Sequence, residues 1–245
     1  MKKKYFKTSC LALSLLLSSC SSQGIINKKA STTSKNNILK TSTSKTWDFN
    51  DLNNWKDATQ TGDPNYSIKD GKLHIFTNAN TRERVKIKSS TAFTNGSYTW
   101  RVYVPTMGKG DMTSIGAFLY HNDHHELDFE IGYGKQTERK ALNTTDDELI
   151  VYMTSQGNPH HSFQSKIKRE NWYTLTIELA LDSNKKYVAT WKINNIALTS
   201  AVLHYGLKTK FKIFCSVENL SFIGDHIPKT QNYALFDWVK YDQMK

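Results

Sequence analysis

The sequence is poor in cysteine, proline and glycine, and it has no apolar run long enough to cross a membrane. Three cysteines and four prolines in 245 residues exclude a disulfide scaffold, and twelve glycines exclude a collagen-like chain. The apolar run at residues 11–17 is too short for a membrane-spanning helix, which needs about 20 residues. A polytopic membrane protein is therefore excluded. The remaining length suits one domain with a core of ordinary size.

Acidic residues are absent from the first 47 positions, and this decides how the net charge of +11 is interpreted. Nine of the 33 basic residues precede Asp48, so the rest of the chain has 24 bases against 22 acids. That remainder is nearly neutral, and its bases are interleaved with acids and aromatics. Because phosphate binding needs a clustered basic patch, we expect no nucleic-acid partner.

The N-terminus has the order of a secretory signal: lysines, then an apolar run, then small residues. Residues 1–19 are predicted to be this signal. The segment LSSC at 17–20 resembles the lipobox of bacterial lipoproteins, which implies lipidation of Cys20 as the first residue of the mature chain. An ordinary cleaved signal with an incidental cysteine is the alternative.

A lipid anchor at Cys20 predicts an exported protein of the cell envelope that meets the membrane only through its lipid. Ser21 is not the aspartate that in such signals favours inner-membrane retention, so we expect the outer membrane if the host is Gram-negative. Residues 20–46 are rich in Ser, Thr, Asn and Lys and predict a disordered tether. With Cys10 removed and Cys20 acylated, Cys215 is the only thiol left, which excludes an intrachain disulfide.

Residues 47–245 are predicted to form the folded domain, and their apolar residues alternate with polar ones as in β-strands. Asn171 to Leu181 and the run from Tyr187 to Ile193 are separated by a turn signal, Asp182–Asn184, and predict a hairpin. Seven further runs have the same period: 72–77, 97–104, 114–121, 126–133, 149–154, 211–218 and 233–241. With no convincing helix, these strands predict an all-β sandwich or jelly roll.

One predicted strand carries three acids, Glu126, Asp128 and Glu130, with Leu, Phe and Ile following them in turn. On a strand this pattern places three carboxylates on one face and three apolar side chains on the other. The apolar face belongs in the core of a sheet, so the acid face lines a cleft or meets solvent. A solvated acidic strand face is the structural alternative.

Crowded carboxylates suit a retaining glycosidase, in which one attacks the anomeric carbon and the other must hold a proton for the leaving oxygen. A like charge nearby raises the pKa of the group that keeps the proton. Two glutamates four positions apart have Cα atoms about 13 Å apart on a strand, and their long side chains can lean together over a concave sheet.

At these residues the sequence resembles glycoside hydrolase family 16, the laminarinase and lichenase family of β-jelly rolls. ELDFE at 126–130 matches the family signature ExDxE, supported by the segments 94–105, 171–179 and 233–242. The resemblance implies a concanavalin-like jelly roll of two antiparallel sheets with a concave cleft. It also implies Glu126 as nucleophile, Glu130 as general acid/base, and Asp128 as the residue that orients the nucleophile.

The same resemblance places four further residues in the cleft. Phe118 and Tyr120 match a pair that contacts sugar, Tyr152 falls on the following strand, and parity with Glu126 puts His124 beside the nucleophile. Core packing is the alternative for each aromatic ring. His124 and Glu218 stand where lichenase-like members place tryptophan, which leaves room for a decorated or charged glycan.

Neither histidine doublet, 124–125 nor 160–161, predicts a metal site, because neighbouring residues on a strand face opposite ways. We expect no cofactor and leave a structural calcium open. The sequence predicts a monomeric, retaining endo-β-glycosidase, hydrolase or transglycosylase, with a polysaccharide as substrate. A catalytically inactive glycan-binding lipoprotein on the same fold is the second hypothesis, and an envelope structural lipoprotein is the third.

Overall fold

A computed structural model describes residues 43–245 of the chain, which form mostly antiparallel strands. Fifteen strands and one short helix occur within these residues. In chain order they are β1 (Ser44–Trp47), β2 (Trp55–Asp57), β3 (Tyr66–Lys69), β4 (Lys72–Thr77), β5 (Arg84–Ser89), β6 (Gly96–Val104), β7 (Thr113–Asn122), β8 (His125–Gly132), α1 (Gln136–Ala141), β9 (Glu148–Ser155), β10 (His161–Lys168), β11 (Asn171–Leu181), β12 (Lys186–Ile193), β13 (Ile196–Gly206), β14 (Lys212–Asn219) and β15 (Asn232–Gln243).

The strands form two sheets that face each other. The eight-stranded sheet has the order β13-β12-β11-β6-β15-β4-β3, with β1 also paired to β15. The seven-stranded sheet has the order β10-β9-β8-β7-β14-β5-β2, which places the acid-bearing strand β8 near its middle. The predicted jelly roll of two antiparallel sheets is confirmed.

Alternation of apolar and polar residues builds the core between the sheets. On β6 the buried residues Tyr98, Trp100 and Val102 alternate with partly exposed ones, so one face of the strand packs inward. Two core tryptophans also tie the sheets together by hydrogen bonds: Trp100 Nε1 donates to the carbonyl of Phe214 at 3.0 Å, and Trp191 Nε1 donates to that of Asp128 at 2.9 Å. The second bond holds the backbone of the acid strand from beneath.

The strands predicted from alternation are all present, with bounds shifted by at most two residues. The β11–β12 hairpin turns where predicted, because the Asp182 side chain accepts hydrogen bonds from the backbone N–H groups of Asn184 and Lys186. At the next turn Asn194 and Asn195 both adopt positive φ, 49° and 67°, as a tight two-residue hairpin requires.

Six strands and the helix were not predicted from the sequence: β1, β2, β3, β5, β10, β13 and α1. Several are short, and β10 and β13 lie at sheet edges where few side chains are buried. The expectation of no helix is corrected by α1, whose six residues bury only Arg139 and so show no apolar period.

The predicted start of the folded domain at residue 47 is also corrected. Ser44, Lys45 and Thr46 were assigned to the tether, yet they pair with β15, and Ser44 Oγ donates to Asp242 Oδ1 at 2.6 Å. Backbone pairing does not depend on apolar side chains, so composition did not indicate it. The predicted signal, the lipidation site at Cys20 and the rest of the tether lie outside the described residues.

Candidate functional site

Strand β8 presents its three acids on the outer face of the seven-stranded sheet. Leu127, Phe129 and Ile131 are fully buried in the core between the sheets. Glu126, Asp128 and Glu130 alternate with them and therefore project from the opposite face. The structure thus brings together the three residues predicted to be catalytic.

The three carboxylates differ in depth and in hydrogen-bond partners. Asp128 is only 1% exposed, and its Oδ2 accepts a hydrogen bond from Gln156 Nε2 at 2.8 Å. Its Oδ1 is buried and accepts none from the N–H and O–H groups of residues 43–245. Glu126 and Glu130 are half-buried, and Glu130 Oε2 accepts a hydrogen bond from Ser114 Oγ on the neighbouring strand β7.

A glycine makes room for Glu130. Gly116 on β7 lies directly opposite Glu130 in the sheet register. A Cβ at this position would lie 2.3 Å from Ser216 Oγ and 3.3 Å from Glu130 Oε1. Any larger residue would displace the carboxylate, so the absence of a side chain at residue 116 helps to set the position of Glu130.

The environment of Glu126 favours its protonated form more than water does. Burial raises the pKa of Glu126 to about 7; the Lys86 ammonium opposes this rise, and the Glu218 and Asp123 carboxylates add to it. Burial, followed by the charges of its neighbours on β8, raises the pKa of Asp128 well above its ordinary range. A proton on Asp128 is donated to Glu126, which lowers the pKa of Glu126.

Glu130 has the higher pKa of the two glutamates. Burial and the Glu218 charge raise its pKa to about 8, while the hydrogen bond from Ser114 partly opposes the rise. Each glutamate accepts one hydrogen bond that favours its ionised form, Glu126 from Asp128 and Glu130 from Ser114. The lower pKa belongs to Glu126, which matches a nucleophile at 126 and an acid at 130.

Two pockets border the acid row. The larger has a volume of about 560 Å³, touches Glu126, and extends over β7, β14, β5 and the residues after β2. The smaller has a volume of about 380 Å³, touches Glu130, and extends over β9 and β10. The acids therefore lie between two pockets that together run across the strands of the sheet. A long linear ligand bound in both pockets would pass over the acids.

Phe118 and Tyr120 line the larger pocket, as predicted. Phe118 is only 3% exposed and stacks on Phe214, with ring centroids 4.6 Å apart and planes at 17°. Tyr120 is half-buried, and its hydroxyl donates to Asp123 Oδ1 at 2.8 Å. This hydrogen bond, with partial burial, raises the pKa of Tyr120 to about 12.

Tyr152 lines the smaller pocket beside Glu130. It lies opposite Glu130 in the register of β8 and β9, and its hydroxyl donates to Glu138 Oε2 at 2.5 Å. Glu138 comes from α1, in the segment between β8 and β9. Phe222 completes this pocket; it is 48% exposed and packs edge-on against Tyr152.

The predicted position of His124 is corrected by the structure. Strand β8 begins at His125, and His124 lies in the turn before it, exposed and outside both pockets. His124 would share a face with Glu126 only if the strand continued through residue 124. A turn breaks the alternation of faces, so parity with Glu126 does not hold there.

Glu218 lies on the acid face of the sheet, where a tryptophan was expected from the family pattern. It is 2% exposed and forms two ion pairs, with Arg84 Nε at 2.7 Å and with Lys86 Nζ at 2.9 Å. Arg84 and Lys86, which line the larger pocket, therefore hold a buried carboxylate next to it.

Sequence reasoning missed several residues of this site. Strand β5 reads Arg84, Val85, Lys86, Ile87 and Lys88, with the two apolar residues in the core and the three basic residues in the pocket lining. The same alternation identified the acid row, so it was sufficient to find β5. Phe222 and Glu138 lie on connecting segments, where no periodic signal marks them.

Within residues 43–245 no group of three or more His, Cys, Asp or Glu side chains could hold a metal ion. No helix in this range is long and apolar enough to span a membrane. Cys215 is a free, buried thiol.

The fold is shared with solved structures at low sequence identity. No model of a protein family matches this sequence, and no curated protein resembles it significantly. A Crh5 transglycosylase in complex with NAG has a TM-score of 0.61 at 13% identity, covering 82% of this chain and 84% of that one. The Bacillus licheniformis β-glucanase has a TM-score of 0.58 at 15% identity, with 82% and 98% covered.

A third similar structure is a glycoside hydrolase family 16 endo-glucanase from Bacteroides ovatus. Its TM-score is 0.55 at 15% identity, covering 80% of this chain and 98% of that one. At such identities the likeness establishes the fold, and it confirms the fold that the family resemblance implied.

Proposed function

We propose that this protein is a retaining endo-β-glycosidase of glycoside hydrolase family 16 that cleaves a β-linked polysaccharide or transfers its fragments. The observation that carries the proposal is the acid row of β8, set between two pockets, with a pKa of about 7 for Glu126 and about 8 for Glu130. The fold shared with a β-glucanase and a transglycosylase supports it.

The proposed reaction has two steps. The Glu126 carboxylate attacks the anomeric carbon, and Glu130 donates its proton to the glycosidic oxygen as that bond breaks. The product is a glycosyl ester on Glu126 and a freed chain end. Glu130, now ionised, takes a proton from water or from a sugar hydroxyl, and that oxygen displaces Glu126 from the anomeric carbon.

Asp128 and Gln156 act as positioning residues in this scheme. Gln156 Nε2 donates to Asp128 Oδ2 at 2.8 Å and so holds the carboxyl group of Asp128 in one orientation. With its proton kept by burial, Asp128 donates to the nucleophile and keeps that carboxylate at a fixed angle. Trp191 holds the backbone of the same residue from the core side.

The position of the acids favours internal cleavage. Both pockets border the row, so sugar units can lie on either side of the scissile bond. We further propose that Cys20 is lipidated, that the enzyme is exported and tethered to the envelope, and that it works as a monomer. If the host is Gram-negative, the membrane that holds it is the outer one.

A catalytically inactive glycan-binding lipoprotein is the second candidate. The raised pKa of Glu126 leaves part of the nucleophile protonated at neutral pH, and the protonated form cannot attack the anomeric carbon. This feature is compatible with binding that is not followed by turnover.

An activity screen distinguishes the two candidates. The purified protein is incubated with β-glucans, β-galactans and peptidoglycan, and released fragments are quantified. We expect cleavage of one class, abolished by Glu126→Gln and by Glu130→Gln. Glu178→Gln, which changes an acid on the other sheet, is the control and should retain full activity. Binding without fragments, or activity that survives Glu126→Gln, would exclude the proposed mechanism.

A further inference from the structure

Two lysines face each other at the far end of the larger pocket. Lys56 on β2 pairs directly with Lys88 on β5, and Lys88 pairs with Phe214 on β14. Directly paired residues of an antiparallel sheet point to the same face. Lys56 and Lys88 therefore lie on the face of Phe214, and both Lys88 and Phe214 line the larger pocket.

Lys212 is the third member of this group, which we call the lysine cluster: Lys56, Lys88 and Lys212. It precedes Phe214 by two positions on β14 and so shares its face. Partial burial and the charges of Lys56 and Lys88 lower the pKa of Lys212. The three ammonium groups are thus close enough to interact, and like charges placed opposite each other destabilise a sheet.

The carboxylates around the lysine cluster have other partners. Glu218 is held by Arg84 and Lys86. Asp123 accepts a hydrogen bond from the Tyr120 hydroxyl at 2.8 Å, and it lies toward the Glu126 end of the pocket.

Asp57 lines the same pocket, but its Oδ1 accepts a hydrogen bond from the Thr59 hydroxyl at 2.8 Å. Its register partner is the core residue Ile87, so its side chain leaves the strand on the side opposite to that of Lys56. Among residues 43–245, neither Lys56 nor Lys88 has an ion pair or a side-chain hydrogen bond, and Lys212 donates to the backbone carbonyl of Ser90 but has no ion pair. No carboxylate of these residues therefore neutralises the cluster at the end of the larger pocket.

From these contacts we propose that the lysine cluster is a subsite for an anionic substituent, a carboxylate or a sulfate ester, on the glycan bound in the larger pocket. The inference rests on the proposed function. The row of paired residues that starts at Asp128 passes Phe118 and Phe214 before it reaches Lys88. The adjacent row starts at Glu126 and passes Tyr120 before it reaches Lys212. A glycan that crosses the sheet from the acid row therefore meets the aromatic rings before the lysines. Ammonium groups bind both kinds of anion through charge-assisted hydrogen bonds.

Binding without turnover tests the proposal. The Glu126→Gln protein is titrated with laminarin and cellulose oligosaccharides and with their carboxymethylated and sulfated derivatives. A second protein adds Lys56→Gln and Lys88→Gln. A third adds Lys69→Gln and Lys72→Gln, a pair of opposed lysines on β3 and β4 of the other sheet, which lowers the net charge equally.

We expect Lys56→Gln with Lys88→Gln to weaken binding of an anionic derivative about tenfold, because each substitution removes a charge-assisted hydrogen bond to the anion. Binding of the neutral oligosaccharides should stay unchanged, and the control pair should alter anion binding less than about twofold. The derivative with the larger loss identifies carboxylate or sulfate as the preferred group. Equal losses in the two double variants, or no binding of any anionic derivative, would overturn the proposal.

Turnover of the same oligosaccharides is also measured with Glu126 intact. This measurement distinguishes failure of the anion subsite from failure of the proposed glycosidase. Cleavage of a neutral probe without any lysine-dependent preference for anions would reject the subsite and keep the glycosidase. Anion binding that depends on Lys56 and Lys88, with no cleavage of any glycan, would reject the glycosidase and keep the subsite.

Discussion

The carboxylates of Glu126, Asp128 and Glu130 share one strand face but have different surroundings. Asp128 is buried and held by Gln156, Glu130 is bonded by Ser114, and Glu126 borders the larger pocket. Burial is the main cause that raises the pKa of each one. This arrangement costs stability when the acids ionise, and it supplies a proton donor near neutral pH.

Glu130→Gln should stabilise the protein at alkaline pH and have little effect at acidic pH. The folded-state pKa of Glu130, about 8, lies above the unfolded value, so the native state binds more protons between these two pH values. Stability that is present below the unfolded pKa is therefore lost as pH rises toward 8. Glutamine keeps the Ser114 hydrogen bond and removes this loss.

The expected gain at pH 8 is about 2 to 4 °C in Tm, or about 1 kcal/mol for a domain of this size. Thermal unfolding at pH 4.5 and pH 8 measures it. Glu178→Gln gives the comparison, since it forfeits an ion pair with Lys192 and should not stabilise. A Tm of Glu130→Gln below that of the unmodified protein at pH 8 would contradict the assigned environment.

At the scale of elements, β5 and β14 together form the floor of the larger pocket. Their pairing places Arg84 directly opposite Glu218 and brings Lys86 to the same carboxylate. Lys86 also donates to Gln60 Oε1 at 3.1 Å, which joins the segment after β2 to this network. Strand pairing, and not the sequence of either strand, creates this group of charges.

Glu218→Gln should destabilise the protein by about 3 kcal/mol, because it leaves the buried Lys86 ammonium without its counter-charge. Glu218→Gln combined with Lys86→Met should be less destabilised than the sum of the single variants, since it removes both charges. Urea unfolding of the four proteins gives the coupling free energy. Additive effects would show that the pair contributes no specific interaction.

For the molecule as a whole, the two sheets set where the acids lie. The sandwich leaves one face of the seven-stranded sheet open, with pockets on both sides of the acid row. The proposed lipid anchor at Cys20 would keep the protein at the envelope. The stereochemistry of the product and the location of the protein are the corresponding tests.

The first product of hydrolysis should have the β configuration. Glu126 and Glu130 lie on the same strand face, an arrangement suited to direct attack by a carboxylate, and two displacements at one carbon restore its configuration. Proton NMR of the anomeric signals during early turnover should show the β-anomer first and the mixture later. An α-anomer appearing first would indicate direct attack by water.

Cys20→Ser should release the protein from the membrane fraction into the soluble fraction. A tether rich in Ser, Thr, Asn and Lys has too little apolar surface to bind a bilayer without a lipid. Fractionation of cells that express each form measures the change, and Ser21→Ala is the matched control. If Cys20→Ser remains in the membrane fraction, the anchor is a different segment or a partner.

Alternation along the chain was enough to predict the strand-rich class, the middle strands of both sheets and the acid row. Their apolar residues recur at the period of a strand over six residues or more, and burial demands that period. The edge strands β10 and β13 and the first strand β1 were missed because their pairing satisfies backbone groups while few side chains enter the core.

The residues that surround the acids follow from the packing of the sheets and could not be predicted from the strand pattern. Lys86, Lys88 and Phe214 reach the pocket through strand pairing across large distances in sequence, and the turn at residue 124 takes His124 out of it. The pKa values of the acids likewise depend on burial and on the distant charges of Glu218 and Lys86. Alternation specifies the face of a strand on which a side chain lies. The neighbours of that side chain on adjacent strands depend on strand order. Strand order is not visible in local sequence, because non-local pairing is set by how the whole core packs.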